Sequence, residues 1–176
     1  MKKIKWITLI TVAGLLWGST WVNAEYVIDK KETLRGIKSM EVVIESLEPD
    51  IIRLGLTREM LKTDVELKLR LAGIKVVTEK NLDEPYLYVC VNIYSSKNPP
   101  VFSFNVSVQF NQLVYLGRDK NISFDGVTWS DGCTGIVGTK EMSKFIRDAV
   151  KLIVDKFLND YLSVNPIQPG TPQKKN

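Results

Sequence analysis

YLYVCVNIYSSKNPPVFSFNVSVQF, residues 86–110, alternates apolar and polar side chains on both sides of a Lys97–Pro100 turn. Leu87, Val89, Val91 and Ile93 share one phase, and Tyr86, Tyr88, Cys90, Asn92 and Tyr94 the other. After the turn, Phe102, Phe104, Val106, Val108 and Phe110 alternate with Ser103, Asn105, Ser107 and Gln109. A period of two puts each set on its own side of a strand, so the segment predicts a hairpin with one apolar and one polar face. The alternation runs on to Leu116, too long for one flat strand, which predicts a bend or bulge near Asn111–Gln112.

Upstream, Ile37–Leu47 sets Met40, Val42 and Ile44 against Glu41, Val43 and Glu45, a further strand closed by Pro49 and Asp50. IIRLG (51–55) reads as a linker into TREMLKTDVELKLRLAG (57–73), a helix. Thr57 is its expected N-cap and Gly73 lies just past its end. Leu61, Val65, Leu69 and Ala72 form its apolar stripe, widened by Met60, Leu67 and Leu71. Asp64–Lys68 and Glu66–Arg70 are i, i+4 pairs, which read as a solvated, self-paired face. Ile74–Thr78 follows as a short buried strand, and the tight strand–helix–strand order predicts a right-handed parallel unit.

Downstream, Gly117–Asn121 is a turn and Phe124–Ser130 a strand. TWSDGCTGIVG (128–138) reads as a flexible glycine-rich connection to the last helix, capped by Thr139. That helix carries Phe145, Ile146, Ala149, Val150, Ile153, Phe157 and Tyr161 on its apolar stripe, and Pro166 stops it. The order β-α-β-β-β-β-α predicts a two-layer α+β domain, with both helices packed on one face of a mostly antiparallel sheet. In architecture alone, this order is similar to that of small accessory domains of bacterial envelope proteins.

Residues 1–24 read as a cleaved secretory signal: basic MKKIK, apolar WITLITVAGLLWG, then STWVNA with Val22 and Ala24 before the cut. The apolar run falls short of the roughly 20 residues that span a bilayer as a helix. Glu25 follows the cut, so no lipid-modified cysteine is expected there. Residues 25–164 then form one domain, and 165–176 a disordered Pro-rich tail. The expected location is periplasmic or extracellular, and the chain is not expected to be an integral membrane protein after cleavage.

Composition removes several chemistries. The chain has no histidine, so it has no Ser–His or Cys–His catalytic pair and no imidazole metal ligand. Its two cysteines cannot complete a four-ligand structural zinc site. No cofactor, metal site or catalytic residue is implied. The 24 Lys and Arg against 20 Asp and Glu include Lys2, Lys3 and Lys5 of the leader, which leaves a nearly balanced chain without the clustering that nucleic acid demands.

Two sites remain. The polar phase of the hairpin, Tyr86, Tyr88, Asn92, Tyr94, Asn105 and Gln109 with Ser103 and Ser107, offers flat aromatic area beside donors and acceptors. It suits a peptide, a glycan or an envelope protein. The plainer reading is an ordinary solvated sheet face. A sheet edge open to an added strand is a generic alternative. Cys90 and Cys133, in an oxidising compartment, are expected to form one disulfide across that second face, with two free thiols as the alternative. The function expected is that of a small exported, non-catalytic envelope protein that binds or scaffolds a partner. Two other readings stand: a histidine-free carboxylate or lysine enzyme acting on cell-envelope glycans, with Asp131 as one acid of a cleft, and a homodimer whose interface is the second face.

Overall fold

The computed structural model describes residues 29–78, 84–96 and 101–166. The leader with its cleavage after Ala24, the Lys97–Pro100 turn and the tail from residue 167 onward lie outside the described residues.

Five strands, β1 (Ser39–Ile44), β2 (Lys75–Val77), β3 (Tyr86–Ser96), β4 (Val101–Leu116) and β5 (Asp119–Gly138), form a sheet in the order β2-β1-β3-β4-β5. β1 runs parallel to β2 and to β3, while β3, β4 and β5 form the long antiparallel part. The α+β class and its two main helices agree with the pattern in the sequence. β2 is an edge strand of three residues, less buried than expected.

The apolar phase faces the core: Val42, Ile44, Leu87, Val89, Phe104, Val106, Val108 and Phe110 are buried, and Ile93 is partly so. Two helices cover it, α2 (Arg58–Leu71) through Leu61, Val65 and Leu69, and α3 (Met142–Val164) through Ile146, Val150, Ile153 and Phe157. Fully burying a side chain of this size is worth about 1.5–3 kcal/mol. The Phe157 ring stands edge-on to Trp129 at 5.1 Å and lies 5.7 Å from Phe110. The buried Trp129 indole donates to Asp160 at 2.8 Å, which satisfies its polar edge.

Several local expectations are corrected. IIRLG belongs largely to a short helix, α1 (Pro49–Arg53), with Pro49 at its start, where a missing N–H costs nothing. Thr57 does cap α2, accepting from the Met60 amide at 3.2 Å. Met60, Leu67 and Leu71 do not widen its buried stripe; Leu71 is 78 % exposed. Asp64 does not pair along the helix with Lys68. It takes a bidentate contact from Arg147 of α3 at 2.8 and 2.9 Å, and Lys68 reaches Asp155 of α3. Glu66–Arg70 does pair, at 2.7 Å. The charged face of α2 is therefore a seam between helices. Thr139 is not the cap of α3: it begins a 3-10 turn, Thr139–Glu141, and the helix proper starts at Met142.

The largest revision concerns TWSDGCTGIVG, which is no flexible connection. It is the second half of β5, a strand of 20 residues paired with β4 as far as Val101–Gly138. Its glycines permit close approach rather than motion. A Cβ on Gly132 would stand 2.8 Å from the Val106 carbonyl oxygen, and one on Gly135 2.7 Å from the Phe104 ring. The bend expected near Asn111 is present as a register shift: Phe110 pairs with Trp129 and Asn111 with Val127, leaving Thr128 as the extra residue on β5.

Both ends of the described chain are tied down. In a 3-10 turn at Lys30–Leu34, Lys30 donates to the Ser130 carbonyl and lies 4.6 Å from the Trp129 ring centre. Asn165, expected to open the tail, accepts from the Gly36 amide at 2.7 Å and donates to the Leu34 and Tyr161 carbonyls.

Candidate functional site

Strand register assigns every residue of the hairpin to a face. Residues directly opposite one another point the same way, so Tyr88 beside Gln109, Asn92 beside Asn105, Cys90 beside Ser107 and Tyr94 beside Ser103 form one panel. The helices lie on the other side, and this panel is open. Tyr86, Tyr88, Asn92, Tyr94, Asn105 and Gln109 are all on it, as their phase predicts. Tyr94 is 68 % exposed. Short contacts order the polar groups: the Asn105 amide donates to Thr134 Oγ1 at 3.0 Å, and Asn92 to Cys90 Sγ at 3.2 Å.

The expected disulfide does not form; both cysteines are free. Cys90 pairs with Ser107 on the open face, whereas Cys133 pairs with Val106, whose side chain is in the core. The two sulfurs point to opposite sides of the sheet from strands two places apart. That spacing alone is about 9–10 Å, beyond the roughly 7 Å between α-carbons that a disulfide tolerates. Placing Cys133 in a folded-back turn assigned it to the wrong side, and a shift of one residue inverts the face of every side chain. Burial pushes both thiols above their ordinary range, and the Glu45 carboxylate adds to the effect at Cys90. Neither is an activated nucleophile.

One depression lies at the end of β1, where the open face meets the core, and another lies on the open face itself. The first, of about 190 Å³, is lined by Glu45, Glu48, Val91, Asn92 and Tyr94. The other, of about 300 Å³, is lined by Glu41, Val43, Tyr86, Tyr88 and Asp125. The second exists because of the bulge at Thr128. Beyond it the hairpin of β4 and β5 carries Asp125, opposite Leu113, to the start of β3. A bulge increases local twist, and here the twisted hairpin becomes a wall. Burial raises the Tyr86 hydroxyl above its ordinary pKa, and the negative charges of Asp125 and Glu41 raise it further. Tyr88 is raised by burial and then by Glu45.

Glu41, Glu45 and Asp125 were absent from the candidate residues of the sequence. Glu41 and Glu45 were legible as the open-face phase of β1. Asp125 was not, since its position depends on the bulge. Asp131, the acid singled out for a catalytic cleft, instead meets Lys156 at 3.0 Å on the helix side. Burial opposes its ionisation, but Lys156 and the Gly132 amide outweigh that and hold its carboxyl below the usual range. On the helix side, between the outer edge of β5 and α3, Phe104, Cys133, Ile136, Phe145 and Leu152 line an apolar groove of about 390 Å³.

Among the described residues, no group of three His, Cys, Asp or Glu side chains is placed to hold a metal ion. No described helix is long and apolar enough to cross a membrane. No protein-family model and no curated protein matches the chain. Among solved structures, it is similar to a minor lipoprotein of Acinetobacter baumannii at 9 % identity, with a TM-score of 0.44, covering 78 % of this chain and 99 % of that one. It is also similar to rare lipoprotein B of Shewanella oneidensis, at 14 % identity and a TM-score of 0.36, over 72 % of this chain and 96 % of that one. A third similar structure is dodecameric PelC of Paraburkholderia phytofirmans, at 13 % identity and a TM-score of 0.39, over 68 % and 85 % of the two chains. At these identities and TM-scores the likeness assigns no activity or partner to this chain.

Proposed function

We propose that this chain is an exported, non-catalytic envelope protein that binds a protein or peptide partner through the open face of its sheet. The observation that carries the reading is the panel itself. Tyr86, Tyr88 and Tyr94 stand beside Asn92, Asn105 and Gln109 in register, on the side that neither main helix covers. Tyrosines provide rigid contact area at low entropic cost, and amides provide adaptable donors and acceptors. Export is supported by the leader pattern of residues 1–24.

The test is capture of envelope proteins by wild-type chain and by a Tyr94→Ala/Asn105→Ala variant. The reading expects the variant to lose most of a specifically captured partner while unfolding at the same temperature. Equal capture by both removes the face from consideration. A carboxylate hydrolase is a second reading, favoured by the pocket that gathers Glu41 and Asp125 from distant parts of the chain. It requires turnover of envelope glycans that disappears in Glu41→Gln.

A further inference from the structure

We infer that the pocket between the tyrosine panel and the curled hairpin receives the lysine or arginine side chain of a basic peptide segment. This deepens the reading of the open face as a binding surface, and rests on it, by specifying the partner's chemistry.

Charge complementarity is the first argument. Glu41 projects from β1 and Asp125 from the hairpin wall, so two carboxylates border one cavity from different elements. Glu45 lies four residues further along the same side, just past the end of β1, and borders the neighbouring depression. None of the three forms an ion pair among the described residues. Lys75, which the register also puts on this side, sits opposite Ser39 and forms no ion pair with them either. Elsewhere the molecule pairs its acids freely: Asp64 meets Arg147 and Lys151, Asp131 meets Lys156, and Asp155 meets Lys68. Other surface acids such as Glu59 and Glu141 are also unpaired, but Glu41 and Asp125 are the two that border one cavity without a compensating cation among the described residues. Glu45 Oε2 is buried with no hydrogen-bond partner among them, although Tyr88 and Cys90 lie beside that carboxylate.

Shape supplies the second argument. Tyr86 and Tyr88 are on the same side of one strand, and Val43 lies opposite Tyr88 on β1. An aliphatic stem can lie along these apolar surfaces while its cationic head meets the carboxylates. A cation over a tyrosine face adds attraction from the ring quadrupole. A neutral sugar gains little from the summed field of the two carboxylates, and an anionic glycan is repelled by it.

The experiment is an NMR titration of the purified chain with four acetylated heptapeptides of glycine and serine. They carry one central lysine, arginine, glutamine or glutamate. Amides of Glu41, Val43, Tyr86, Tyr88 and Asp125 are expected to shift with the lysine and arginine peptides alone, and less so as salt is raised. Glu41→Gln and Asp125→Asn are each expected to weaken binding by about fivefold, the upper range for an exposed ion pair. Both residues are on the surface, so unchanged thermal unfolding checks that the variants fold. Binding of the glutamine or glutamate peptide as tight as that of lysine overturns the inference. So does unchanged affinity in the double variant. If Lys174→Gln/Lys175→Gln in the full chain tightens binding, the pocket belongs to this chain's own tail, and the partner is overturned. If the Tyr94→Ala/Asn105→Ala variant loses its captured protein while Glu41→Gln/Asp125→Asn retains it, the face survives and the cation pocket does not.

Discussion

Substituting alanine at Gly132 and Gly135 separates two descriptions of residues 128–138 by the sign of the effect. Neither glycine has a positive φ, so alanine suits the backbone at both positions. In a flexible connection, Gly→Ala at such a site stabilises by about 0.4–1 kcal/mol, because it restricts the unfolded chain. In β5 the new methyl group has no room. At Gly132 it stands 2.8 Å from the Val106 carbonyl oxygen, a backbone atom held in the ladder with β4. At Gly135 it stands 2.7 and 2.9 Å from two carbons of the Phe104 ring, which is buried and packed 5.5 Å from Phe145. Overpacking of this kind costs about 1–3 kcal/mol. Gly132→Ala should be the costlier, since a ring can tilt and a paired carbonyl cannot move alone. At about 2–4 °C per kcal/mol for a domain of this size, the variants should melt roughly 2–12 °C below wild type. Urea unfolding followed by tryptophan fluorescence measures the loss, because Trp129 is the tryptophan outside the leader and sits in the same strand. A neutral or raised stability in both variants would refute the paired strand.

Asp64→Asn should cost about 1–3 kcal/mol at pH 7, the range for a charge-assisted bidentate contact on a mostly buried acid. The Arg147 guanidinium holds the Asp64 carboxyl below its ordinary range. Its contribution is thus full above the unfolded value near pH 4 and is lost as pH falls through the lower folded value; wild-type and variant urea midpoints that stay equally far apart down to pH 2 count against it. Both thiols should remain unbridged in air, so non-reducing and reducing gels should match, and labelling by a thiol reagent at pH 8 should be slower folded than unfolded. Phe104→Ala should cost about 3–5 kcal/mol as a buried aromatic truncation, whereas Tyr94→Ala, close by on the opposite face, should stay within about 0.5 kcal/mol. Comparable losses at the two positions would contradict the assignment of faces.

Alternation and helical spacing made the elements and their buried sides legible, because both are properties of a single segment. Phe102 to Phe110 had to share a side whatever covered it, and Leu61, Val65 and Leu69 likewise. What escaped the sequence depends on relations between segments. Gly132 and Gly135 look like punctuation until Val106 and Phe104 are known to lie across from them. Asp64 and Lys68 look like an i, i+4 pair until Arg147 and Asp155 offer partners on a second helix. Cys90 and Cys133 were matched by number and compartment, but a bridge is decided by face, and face by register. The open-face residues of β3 and β4 were legible from phase alone. The cavity they border was not, because Asp125 reaches it through one unpaired residue at Thr128.

The two sides of the sheet divide stability from recognition. On the helix side, aromatic packing and the Asp64–Arg147 and Lys68–Asp155 pairs tie the sheet and the two main helices to one another. On the open side, hydrogen bonds such as Asn105 to Thr134 and Asn92 to Cys90 stay within the panel and tie it to no second layer. Such a surface adds little to folding, so its tyrosines and carboxylates are not explained by the fold's own needs. Solvation alone accounts for scattered polar groups. It does not account for a bulge that brings Asp125 to the cavity bordered by Tyr86 and Glu41, where burial and then these two carboxylates raise the Tyr86 hydroxyl above its ordinary pKa. A cation from outside meets both carboxylates in one cavity, and this gives the arrangement a physical reason to bind.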